Sequence, residues 1–157
     1  MVRFSVRRRN SKPNWVFFSA IFAVCALIAV AAQNPPARRS VWDGVYSDAQ
    51  AIRGERQYGR SCEQCHGPDL AGDAVMEIPA LSLDSFMTSW NGKTVKDLFD
   101  TVKRSMPKDK PGSLGTGSYV DVVAYLLQAN KFPSGTKELP RTADELAPIV
   151  IERGKTP

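Results

Sequence analysis

The chain has 157 residues, 43% of them hydrophobic and 24% charged, the make-up of a globular protein with one modest core rather than of a disordered or fibrous one. Five of its 21 Lys and Arg precede Gln33, whereas all 16 Asp and Glu follow it. The formal charge of +5 therefore belongs to the N-terminus, the remainder is formally neutral, and no nucleic-acid partner is implied.

Arg3, Arg7, Arg8, Arg9 and Lys12 come first, and Trp15 to Ala32 is then apolar or small apart from Ser19. This is the pattern of an export leader, with a cut after Ala31 or Ala32. The apolar length also suits an N-terminal anchor, so residues 1–32 read as a signal peptide or a membrane anchor through 15–32. Residues 33–40, with Pro35-Pro36, read as a linker. The expected location is periplasmic, soluble or tethered to the outer face of the inner membrane.

The fold proper is expected over residues 41–133. Ser47-Asp48-Ala49-Gln50 has the form of a capping box and opens a helix from Asp48 to about Tyr58 or Arg60. A short helix fits Leu83 to Ser89. Thr94 opens another, with Val95, Leu98, Phe99 and Val102 at helical spacing and a stop at Met106-Pro107. Ser118 to Asp121 opens the last, whose apolar face of Val122, Val123, Tyr125, Leu126 and Leu127 runs to Asn130. The class is all-α, three to four helices with long loops that need something large to wrap around. Residues 134–157 form a C-terminal extension, in which Ile149-Val150-Ile151 suits a surface strand.

The chemistry lies in "SCEQCHG", Ser61 to Gly67, which holds the one histidine of the chain. Cys-x-x-Cys-His is the attachment signature of c-type haem: each thiol adds to a porphyrin vinyl group, and the adjacent imidazole reaches the iron. A zinc site would lack a fourth nitrogen or sulfur ligand after Gln33. A thioredoxin-type dithiol belongs in a βαβ setting, and a disulfide would leave His66 without a purpose. One haem c, bound through Cys62 and Cys65 with His66 on the metal, is the expectation.

With this motif in place, Val41 to Pro133 resembles the class I cytochromes c. Gly54, Tyr58 and Cys62 at four-residue steps are similar to the family's first helix, where a glycine lets the last helix cross closely; "DVVAYLL", Asp121 to Leu127, looks like that last helix. "IPAL", Ile78 to Leu81, resembles the family's proximal loop. The resemblance implies that the Pro79 carbonyl accepts the His66 Nδ1 proton and that Leu81 packs on the haem. The fold it implies is the cytochrome c fold.

The sixth ligand is sought among Met76, Met87 and Met106. Met76 falls early in the loop that covers the proximal side, and Met87 sits in a short helix beside Phe86 and Trp90. "SMPKDKPGSL", Ser105 to Leu114, is similar to the methionine loop of small class I cytochromes, including those associated with quinoprotein alcohol dehydrogenases, and implies Met106. The function so implied is electron carriage, not catalysis, between redox proteins: an upstream dehydrogenase and a downstream oxidase or cytochrome. The alternatives are a haem subunit of a membrane oxidase or dehydrogenase complex and an open-site peroxidase or sensor. Lys93, Lys96, Lys103, Arg104, Lys108 and Lys110, interleaved with Asp97, Asp100 and Asp109, form either a solvated mixed-charge face or a basic rim that steers an acidic partner.

Overall fold

A computed structural model describes residues 37–154. The leader or anchor at 1–32, the first half of the expected linker and the last three residues lie outside the described residues. In chain order the elements are β1 (Arg39–Ser40), a 3-10 turn (Val41–Asp43), α1 (Asp48–Ser61), α2 (Glu63–His66), α3 (Leu83–Trp90), α4 (Val95–Ser105), α5 (Thr116–Ala129), α6 (Ala143–Leu146) and β2 (Ile149–Val150). The domain is helical, as expected, with two single-turn helices added to the four longer ones. Among the described residues no helix is long and apolar enough to cross a membrane.

The central feature is the crossing of α1 and α5. Gly54 is buried there, and a β-carbon on it would lie 1.9 Å from the Asp121 carbonyl oxygen, so only glycine allows this approach. Four residues on, the Tyr58 ring meets that of Tyr125 at 5.2 Å between centroids. Arg53 closes the crossing from outside: its Nε and Nη2 donate to the two carboxylate oxygens of Asp121 at 2.9 and 3.0 Å. Around it, Val41, Leu98, Tyr119, Leu127, Ile149 and Ile151 are all buried in one apolar cluster.

Helix starts follow the local chemistry in part. Thr94 and Asp97 form a reciprocal capping box at the head of α4, the most economical use of two otherwise orphaned donors. At α1 only half of the expected box forms. Ser47 Oγ accepts from the Gln50 amide at 3.2 Å, but the Gln50 side chain turns inward, fully buried, to pair with the backbone of Leu139. Helix α5 starts two residues earlier than expected, at Thr116, with Gly115 as an N-cap that supplies no side-chain bond; Asp121 serves the ion pair to Arg53 instead.

The tail departs most from expectation. The Ile149-Val150-Ile151 segment is not a surface strand: Ile149 and Ile151 have no exposure. Residues Ile149 and Val150 pair in parallel with Arg39 and Ser40, which brings the last two residues of the expected linker into the fold. Ile151 exchanges two backbone hydrogen bonds with the turn before α4, its amide donating to Lys93 at 2.8 Å and its carbonyl accepting from Gly92 at 2.7 Å. Leu139 and Leu146 complete the same core. A domain with few long helices thus gains apolar burial by packing Leu139, Leu146, Ile149 and Ile151 against them.

Candidate haem site

Cys62 ends α1, where its amide donates to Tyr58 O at 2.8 Å, and the chain turns at once into the short helix α2. Both the Cys65 and His66 amides donate to the Cys62 carbonyl, at 3.1 and 3.0 Å, so one turn holds the three side chains together. Tyr58 steadies this turn by donating its hydroxyl to the Gly67 carbonyl at 2.6 Å. Cys62 is half-buried and Cys65 exposed, and both thiols are free. Burial and, secondarily, the Cys65 thiol push the Cys62 thiol up to about 11, the opposite of the lowered value that activates a redox dithiol.

The His66 side chain is buried, and its Nδ1 lies 3.1 Å from the Pro79 carbonyl oxygen. With Nδ1 donating, Nε2 is the nitrogen left as a lone-pair donor. Carbonyl acceptors of this kind fix the tautomer and ring orientation of metal-binding histidines and strengthen them as donors. The Pro79 carbonyl is itself set by a close approach that the sequence reading missed. Gly72 has φ +67°, donates to the His66 carbonyl at 2.9 Å, and lies so near residues 78 and 79 that a β-carbon on it would meet Ile78 O at 2.3 Å and the Pro79 carbonyl carbon at 2.7 Å. A glycine in a loop gives no local sign of such a neighbour.

Leu81, partly buried against the core, donates its amide to Leu70 O at 2.8 Å. Its carbonyl is taken by Asn130 Nδ2 at 3.0 Å, while Asn130 Oδ1 accepts from the Leu83 amide at 2.8 Å. Asn130, expected only to end α5, thus pins the loop that carries Pro79 and Leu81 to that helix.

The three candidate methionines occupy different surroundings. Met76 is 64% exposed at the tip of a turn capped by Asp73. Met87 packs from α3 against the apolar cluster. Met106 is the C-cap of α4, partly buried, its amide donating to Val102 O at 2.9 Å and its carbonyl accepting from the Tyr119 hydroxyl at 2.8 Å. Of the basic residues, Lys96 is engaged by Asp100, Lys93 lies over the Trp90 ring and Lys103 over Phe99, whereas Lys108 and Lys110 are exposed.

Among the described residues no three His, Cys, Asp or Glu side chains converge into a cage for a bare metal ion. The donor set fits covalent haem instead: two free thiols and, on the same turn, a buried imidazole with one nitrogen already held. Residues 49–126 match the family described as cytochrome c oxidase, cbb3-type, subunit III. No curated protein and no solved structure matches the chain. The matched stretch runs from the first turn of α1 through the thiol turn to the last turn of α5, and these residues form a c-type cytochrome domain.

Proposed function

We propose that this chain is an exported mono-haem cytochrome that carries single electrons between periplasmic or membrane-bound redox proteins. In this reading Cys62 and Cys65 hold the haem by thioethers, His66 is the proximal ligand and Met106 the sixth. When bound, haem supplies a one-electron ferric–ferrous couple. The Pro79 carbonyl holds the proton on Nδ1 of His66, which keeps Nε2 free as a donor, and Leu81 would pack on the haem. A histidine and a thioether together leave no open position for oxygen chemistry and favour a high potential. The observation that carries the reading is the buried His66, held through Nδ1 by Pro79 one residue after the second thiol.

The resemblance of Ser105 to Leu114 to the loops of quinoprotein-associated cytochromes points to a quinoprotein dehydrogenase as electron donor. A second reading is favoured by the matched family, whose description names an oxidase subunit: anchored through residues 15–32, the domain would relay electrons inside a membrane oxidase. Sizing the detergent-solubilised native complex separates the two, because a free carrier elutes alone. A peroxidase or sensor role is disfavoured by composition, since the one histidine of the chain is used at position 66 and none remains for a distal acid–base group.

The attachment is tested by acid–organic extraction of protein matured in an exporting host. Colour should stay with the polypeptide, and Cys62→Ala combined with Cys65→Ala should release it. Clean extraction of haem from the unmutated protein would overturn the reading.

A further inference from the structure

The loop from Met106 to Leu114 is tied at both ends to one side chain. Tyr119, in the first turns of α5, has no solvent exposure. Its hydroxyl donates to the Met106 carbonyl at 2.8 Å and accepts from the Leu114 amide at 3.3 Å. The Gly112 amide reaches the same Met106 carbonyl at 3.3 Å. Between these ends the loop makes its own turns, Lys110 N to Pro107 O at 3.0 Å and Ser113 N to Lys110 O at 3.2 Å, and residues 108–113 are exposed. The phenol is the point where this exposed loop is fastened to the buried crossing of α1 and α5.

From this arrangement we propose that Tyr119 is a positioning residue for Met106, setting how often the methionine leaves the metal. The proposal rests on the reading of Met106 as sixth ligand. A thioether is a weak ligand, and its retention depends on the chain that presents it. A carbonyl fixed by a buried donor holds the Met106 backbone in one place, and the shared hydroxyl closes the loop behind it. Removing only the hydroxyl leaves the ring to pack but frees both loop ends, so the open form gains population by the worth of one to two hydrogen bonds. Open forms admit an external ligand in proportion to their population.

The competing account is that Tyr119 is a core residue with a satisfied hydroxyl and no bearing on the ligand. Tyr46 supplies the control. It is equally buried, and its hydroxyl donates to a loop carbonyl, that of Phe132, at 2.5 Å, but it does not touch the Met106 loop. The experiment uses the haem-loaded protein and its Tyr119→Phe, Tyr46→Phe and Met106→Ala variants. Carbon monoxide binding to the ferrous forms is timed, and the far-red sulfur-to-iron band of the ferric forms is followed during warming.

Tyr119→Phe should bind carbon monoxide roughly three- to tenfold faster and lose the far-red band at a lower temperature, well before the fold melts. Tyr46→Phe should melt earlier than the unmutated protein but keep its binding rate. Equal rates in both Phe variants, raised or not, overturn the positioning role alone, provided that Met106→Ala abolishes the band. A band that survives Met106→Ala overturns the ligand assignment and this proposal with it.

Discussion

The side-chain amide of Gln50 grips Leu139 at both backbone groups: Nε2 donates to the Leu139 carbonyl at 3.3 Å, and Oε1 accepts from the Leu139 amide at 2.7 Å. Both residues are buried, so this pair works as one rung of a sheet supplied by a helix. It joins α1 to a tail 89 residues further along. Gln50→Ala would leave two buried backbone groups without partners, at a cost of about 3 kcal/mol. The melting temperature should fall by roughly 10 °C, and the Leu139 amide should lose its protection from hydrogen exchange. An unchanged melting temperature would show that the tail is held elsewhere.

Gly72 should be nearly intolerant of a side chain. Alanine there meets a left-handed backbone, at about 1 kcal/mol, and sets its β-carbon against Ile78 O and the Pro79 carbonyl carbon. The loop must move, and the Pro79 carbonyl with it. Gly72→Ala should therefore speed exchange of the His66 Nδ1 proton as well as lower stability, whereas Gly92→Ala, with nothing within 4 Å of its β-carbon, should cost stability but leave that proton alone. Equal proton exchange in the two variants would count against a link between Gly72 and His66.

Acid should loosen the tail at a predictable point. The Arg53 guanidinium, 2.9 Å from Glu138, holds that carboxyl below its ordinary value of 4.5. A depressed folded-state value means that the unfolded chain takes up the proton first, so the contribution is complete above the ordinary value and fades as pH falls below it. The pair is partly exposed, which limits its worth to less than about 1 kcal/mol. Glu138→Gln should therefore lower stability at pH 7 by that small amount and flatten its fall below pH 4.5, so that the two proteins converge in acid. Denaturant titrations at several pH values decide it, and parallel curves for the two proteins would refute the assignment.

Lys108 and Lys110 are exposed on the loop that follows Met106, and a basic rim there should select negatively charged partners. Reversing both to Glu should slow reduction by hexacyanoferrate several-fold at low ionic strength, with the difference vanishing at about 0.5 M salt. The cationic hexaammineruthenium reagent should show the opposite change. If both reagents respond alike, the two lysines only solvate the loop.

Much of this protein could be read from neighbouring letters. The turn that gathers Cys62, Cys65 and His66 is legible because the three letters fall within five residues. Helices α1 and α4 are legible because caps and apolar spacing act over a few residues. The neutral charge of everything after Gln33 was likewise countable. Other features needed partners distant in sequence. Ser47 and Gln50 spell a capping box, but a buried amide facing the bare backbone of Leu139 gains more by pairing there than by closing a box in water. The Ile149-Val150-Ile151 run looks like a surface strand only while the groove beside Arg39, Ser40 and Lys93 is unknown. Gly72 is one loop glycine among several until the carbonyl of Pro79 is brought against it, and Tyr119 is one more apolar helix position until its hydroxyl meets Met106. Local chemistry is written in spacing, whereas clearance and hydrogen-bond satisfaction are properties of surfaces that exist only after the chain has folded back on itself.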